Sequence, residues 1–255
     1  MEYVILIFIF LLGVVIGSFL NVCIYRVPKG LSIAYPPSYC PKCGQRIKPY
    51  DLIPIASYII LGGKCRHCKE PISIRYPIVE MLTGAAFVIS ALVYGYSMQL
   101  VYSLVLISSL LVISFVDIDE GIILDAALIP IMAVGVIAVA IDPSVAWQFA
   151  ALGALAGAGT IGAIYILSLI ILKKEGMGIG DIKLMAVVGL LLGWQRTLLA
   201  FFIAIYIGAI AGIIMIALKK KDMASEIPFG PFLSIGTAIS WWFGCQFINW
   251  YLFLA

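Results

Sequence analysis

Eight apolar stretches dominate this chain, most of them close to the roughly 20 residues that carry a helix across a bilayer. They run over 1–22, 77–97, 99–116, 124–141, 147–172, 184–194, 196–217 and 229–251. The 184–194 stretch is the shortest and reads as a tilted or partial span. The first could pass for a signal peptide. It lacks a positive start, however, and it runs into SFLNVCIYR rather than a small-residue cleavage site, so it reads as a retained helix. Composition agrees: 64% of the 255 residues are hydrophobic and 11% are charged, whereas a soluble domain carries about 25% charged residues. So few charges exclude an ordinary cytosolic enzyme and a disordered chain. A net charge of +3 is too small to argue for a nucleic-acid partner. The expected fold class is an all-α polytopic membrane protein of about eight transmembrane helices, embedded in the lipid bilayer, with one small soluble segment.

The positions of the bases set the orientation. Nine lie in 26–75: Arg26, Lys29, Lys42, Arg46, Lys48, Lys64, Arg66, Lys69 and Arg75. Lys173, Lys174 and Lys183 form a second group and Lys219, Lys220 and Lys221 a third, which leaves only Arg196. With eight spans the three groups share one side, which the positive-inside rule makes cytoplasmic. Both termini then face out. Small residues recur four apart within the spans, at Gly13/Gly17, Gly153/Gly157, Gly189/Gly193 and Gly208/Gly212. Such pairs let helix backbones approach closely in lipid.

The sizeable soluble segment, 26–76, holds CPKC at 40–43 and CRHC at 65–68. Two CxxC pairs at this distance suit a tetrahedral zinc site on Cys40, Cys43, Cys65 and Cys68. Gly44 and the Gly62–Gly63 pair suit tight turns beside them. The segment is too small for its own core, so a metal staple is physically reasonable. Four thiolates leave no open coordination position, so the zinc is structural. A thiol-redox motif is the competing view, but its βαβ context is absent. His67 reads as a bystander rather than a ligand. Cys23 and Cys245 stand alone in apolar runs and pack as small hydrophobes.

Acids are scarce, and two groups of them stand out. SFVDIDEGIILDAALIP holds Asp117, Asp119, Glu120 and Asp125 with no base among them, and EGMGIGDIKLMA places Asp181 behind alternating glycines at the start of a span. An acid at membrane depth implies function by default. Both groups face the cytoplasm on the topology above, so Asp117 and Asp181 can meet. Two carboxylates held close share a proton. One can then activate water while the other protonates a carbonyl or leaving amine, as in aspartic proteases. An ion or proton relay and plain structural polarity are alternatives on these residues alone. Asp119 and Glu120 fit a solvated turn equally well.

Together these segments resemble the prepilin peptidases, the bacterial type IV leader peptidases. The resemblance runs through GSFLNVCIYRVP at 17–28, CPKC, DLIPIASYIILGGKC at 51–65, CRHC, ISIRYPIVEMLTG at 72–84, FVDIDEGIILD and GMGIGDIKL. It implies a membrane aspartic endopeptidase, of the GxGD type, that removes the basic leader from type IV prepilins or pseudopilins in the bacterial inner membrane. Asp117 and Asp181 map onto the family's catalytic aspartates. It further implies N-methylation of the new N-terminus with S-adenosylmethionine. The chain then divides into a first transmembrane helix over 1–25, a tetracysteine segment over 26–76 and a peptidase domain over 77–255. Leu124 departs from the family's usual proline, while Asp125 and Pro130 fit. Asn21, Arg75, Tyr76 and Glu80 match the signature without an assigned role. A proton-coupled permease would expect repeated halves with broken helices, and none is visible. A related protease with other substrates would lack the cysteines and the N-terminal signature.

Overall fold

A computed structural model describes residues 2–141, 146–171, 173, 177–218 and 228–254. Lys174, Gly176 and residues 219–221, invoked above, lie outside these. The described residues are helical, apart from loops and two isolated bridges. The helices are α1 (Glu2–Arg26), α2 (Ala56–Ile60), α3 (Arg75–Tyr94), α4 (Met98–Glu120), α5 (Asp125–Ile141), α6 (Trp147–Ile171), α7 (Ile179–Ala217) and α8 (Gly230–Leu254). Five of them, α1, α3, α4, α6 and α7, are long and apolar enough to cross a membrane. Outward side chains such as Phe8, Leu155, Ile170 and Tyr206 are apolar, a surface suited to lipid rather than water. The chain is a multi-pass, all-α membrane protein.

It forms two compact units, Met1–Val112 and Ile113–Ala255, with the boundary inside α4. In the first unit α1 packs on α3 through its glycine face. A Cβ on Gly17 would lie 2.7 Å from Glu80 Cα, and one on Gly13 would lie 2.8 Å from Gly84 Cα. Both are nearer than real Cβ contacts come, so the small-residue pair expected from the sequence is what brings these backbones together. Val79 and Phe87 close the apolar contact with no exposure.

In the second unit α6 packs on α7 in the same way. A Cβ on Gly153 would strike the Gly189 carbonyl and lie 2.7 Å from Gly193 Cα. Gly157 meets both the Met185 carbonyl and the Thr197 methyl. On a straight helix residues 185 and 197 would stand about 18 Å apart. Their meeting at one glycine shows that α7 folds back on itself. The reversal sits at Gly193, whose φ of 73° and ψ of 169° interrupt otherwise helical backbone. The expected stretches 184–194 and 196–217 are therefore the two arms of α7. The first arm begins five residues earlier than hydropathy indicated, because Gly178 and Asp181 cap it. Length and hydropathy alone do not fix the count of eight spans, since α5 and α8 lie outside the five qualifying helices and α7 counts there as a single helix. Gly208 differs from the other glycine pairs: a Cβ there would find ordinary room, 3.4 Å from Phe229 and Phe232.

The conformation of Gly193 belongs almost solely to glycine, and a side chain there would also meet the Phe149 ring. We expect Gly193→Ala to destabilise the protein by about 1–3 kcal/mol, read as a lowered thermal unfolding midpoint in detergent.

Candidate active site and candidate metal centre

Asp117 lies in the last turn of α4. The helix stops because Gly121 adopts φ 68° and its N–H caps the Asp117 carbonyl at 3.0 Å, an ending that glycine favours. Asp181 lies in the first turn of α7. Its Oδ2 accepts the N–H of Gly178 at 3.0 Å, which satisfies one of the helix's unpaired amides. The glycine at 180 has a different cause. A Cβ there would come within 2.8 Å of Ile123 Cβ, in the loop that follows α4. That close fit lays the 121–124 loop on the start of α7.

The acids consequently converge. Asp117 is 6% exposed and Asp181 is 7% exposed, and the two carboxylates are near enough to act on each other electrostatically. Among the described residues neither forms a salt bridge. Asp117 Oδ2 instead accepts the N–H of Gly230 at 2.8 Å. Gly230 opens α8, and a Cβ on it would lie 2.7 Å from that same oxygen. Sequence reasoning missed Gly230. Its only signal is a glycine set between aromatic and proline residues at the head of the last apolar stretch. Asp125 stands apart from the buried pair, at the start of α5, where it holds Lys183 in an exposed ion pair at 2.9 Å. Asp119 and Glu120 are exposed at the end of α4. Helix α5 starts at Asp125 with Leu124 in place, and the Leu124 carbonyl accepts the Ala127 N–H at 3.0 Å.

The four cysteines meet in the first unit. Their sulfurs all lie within 4.8 Å of one another, a group that could hold a metal ion. Cys40 and Cys68 sulfurs are 3.9 Å apart, against about 3.8 Å between thiolates around a tetrahedral zinc with 2.3 Å bonds. The donor set therefore fits zinc. His67 is not among the clustered groups. The two knuckles are built alike. Cys40 N–H donates to the Gln45 carbonyl at 2.9 Å and Cys65 N–H to that of Glu70 at 2.8 Å. The turn after each pair takes a positive φ, 70° at Gly44 and 60° at Lys69, so the second knuckle asks of a lysine what the first asks of a glycine. Backbone N–H groups of Cys68 and His67 lower the Cys65 thiol to about 7, while burial and the neighbouring cysteines push the Cys68 thiol up to about 11. Arg66 joins Asp51 through two N–H groups, at 2.6 and 2.9 Å, and holds the Asp51 carboxyl below its ordinary range. That tie is fully formed above the ordinary carboxylate pKa and is lost as acid protonates Asp51.

Residues 11–94 match the bacterial peptidase A24 N-terminal domain, and residues 104–213 match the type IV leader peptidase family. The chain belongs to the type IV leader peptidase family. It is 35% identical to the prepilin leader peptidase/N-methyltransferase of Pseudomonas aeruginosa, over 95% of this chain and 91% of that one. It is 34% identical to the protein of that name from Neisseria gonorrhoeae, over 91% and 92%. The Aeromonas hydrophila protein of that name is 32% identical over 96% and 92%. No solved structure gives a significant match. This membership agrees with the resemblance seen in the motifs.

Cys40→Ser should lower the zinc-to-protein ratio of the purified leader peptidase family member at least severalfold and loosen residues 26–76 to protease. Metal analysis and limited proteolysis read the two effects.

Proposed function

We propose that the chain is a membrane aspartic endopeptidase that removes the basic leader from type IV prepilins or pseudopilins and methylates the N-terminus so released. The observation that carries this reading is the convergence of Asp117 and Asp181 as a buried pair of acids, each held by a backbone N–H. One carboxylate, ionised, takes a proton from the attacking water. The other, protonated, donates to the scissile carbonyl and regains that proton as the tetrahedral intermediate collapses, while the first passes the proton taken from water to the leaving amine. Titration belongs to the pair as a unit. Gly230 and Gly178 fix one oxygen on each acid, which leaves the other oxygens for water and substrate. Bases clustered over 26–75 and at Lys173 and Lys183 support a cytoplasmic position for this face in the inner membrane, with both termini outside. A basic leader would then lie beside the exposed acids Asp119 and Glu120.

On this reading residues 1–25 anchor the chain and 77–255 form the peptidase domain. Residues 26–76 form the metal-stapled segment associated with methyl transfer, in which four cysteine thiolates hold a structural zinc. S-adenosylmethionine, when bound, supplies an electrophilic methyl group for the new amine.

Asp117→Asn and Asp181→Asn should each lower cleavage of a synthetic prepilin by about 10²–10⁴-fold, the usual contribution of a general acid or base, while the protein still inserts in membranes. Normal cleavage by either variant would overturn the reading. Gly230→Ala should cost about 10–100-fold, since small misplacements of a catalytic group reach that size. A gel assay of leader removal measures all three.

A further inference from the structure

The first unit contains a cavity of about 590 Å³ that the peptidase chemistry does not use. It lies between the last turns of α1, the first turns of α3 and the tetracysteine segment, and its size suits a drug-sized ligand or cofactor. Two buried acceptors line it. Asn21 is 2% exposed; its amide N–H₂ group donates to the carbonyls of Gly17 and Tyr76, at 3.2 and 3.1 Å. Its Oδ1 is buried with no partner, an arrangement that native structures rarely tolerate without a ligand or water. Glu80 is 6% exposed and, among the described residues, has no Lys or Arg in an ion pair. One of its oxygens accepts the Ile55 N–H at 2.8 Å. Ile55 is held at φ 59°, a conformation that a β-branched residue avoids. Backbone strain of this kind gathers at ligand clamps.

Three of the bases that line it, Arg26, Arg66 and Lys42, are already engaged, while Arg46 also lines it. Arg26 donates to the Ser32 and Pro36 carbonyls, at 2.9 and 2.7 Å, Arg66 is tied to Asp51, and Lys42 reaches Glu70 at 3.7 Å. The floor therefore offers acceptors and negative charge to a ligand that brings donors and positive charge. Tyr58 and Tyr76 add aromatic surface, which suits both a flat heterocycle and a cation. A sulfonium bearing an amino group and a purine has these features together.

We propose that this cavity is the S-adenosylmethionine site, with Glu80 and Asn21 receiving the cationic, donor-bearing end of the methyl donor. The proposal rests on the methyltransferase reading above and adds the residues that serve it. The test uses the full-length, zinc-loaded protein in detergent with methyl-tritiated S-adenosylmethionine. Equilibrium binding is measured first, and direct ultraviolet crosslinking with peptide mapping follows. Label is expected in peptides within 17–80. Glu80→Gln and Asn21→Leu are expected to weaken binding at least tenfold at unchanged zinc content. If the wild-type protein binds the donor but the label maps within 113–255, or if both variants bind as it does, the cavity assignment falls and the methyltransferase reading stands. If the wild-type protein neither binds nor transfers methyl, both fall. Should a variant fail to fold, the crosslink map of the wild-type chain decides alone.

Discussion

Two carboxylates buried among apolar helices must be satisfied by the protein itself, and here backbone amides do it. Gly230 donates to Asp117 and Gly178 to Asp181. Much of the second unit is arranged to deliver those two N–H groups to one place. Helix α4 must end at Glu120, α7 must begin at Ile179, and α8 must begin at Gly230. The fold-back at Gly193 completes the set: it lets the chain leave along the first arm of α7 and return along the second, so that α8 can start where α4 ends. Removing the reversal would place the head of α8 far from Asp117.

The first unit solves a different problem. Residues 27–74 lie between two membrane helices and bury few apolar side chains; Cys40 is the one core position among them. Paired knuckles, the Arg66–Asp51 tie and the Arg26 latch onto three carbonyls of the 32–36 loop replace a hydrophobic core. The glycine face of α1 against α3 gives these polar devices a rigid base. Glu80 belongs to both systems, since its backbone takes the close approach of Gly17 while its carboxylate holds Ile55.

Much of this was legible in the residues. Apolar length showed the helices, the cysteine spacing showed the four-thiol cluster that could hold a metal, and Gly153, Gly157 and Gly189 showed a helix contact that the structure realises. Scarcity of acids drew attention to Asp117 and Asp181. Gly208 misled, because spacing does not reveal whether a backbone or two phenylalanines face the glycine. Gly230 and Ile123 were invisible for a related reason: their roles arise from partners more than fifty residues away, and only the folded chain supplies those. The start of α7 was misjudged because hydropathy ignores a cap, and Asp181 serves as a cap while remaining one of the buried acids.

The choice of amides over bases has a chemical consequence. A lysine or arginine beside the pair would favour ionisation of both acids and leave neither with a proton to give. A peptide N–H orients an oxygen without adding a formal charge and does not titrate in the working range. Lys183 stands only two residues from Asp181, yet positions two apart on a helix do not face each other, and Asp125 holds its ammonium group in an exposed ion pair. The base nearest to the pair in sequence is thus spent on tying α5 to α7. On the proposed reading, sharing of one proton between Asp117 and Asp181 would be set by their mutual repulsion and by burial, which is the condition that general acid–base chemistry on two like carboxylates requires.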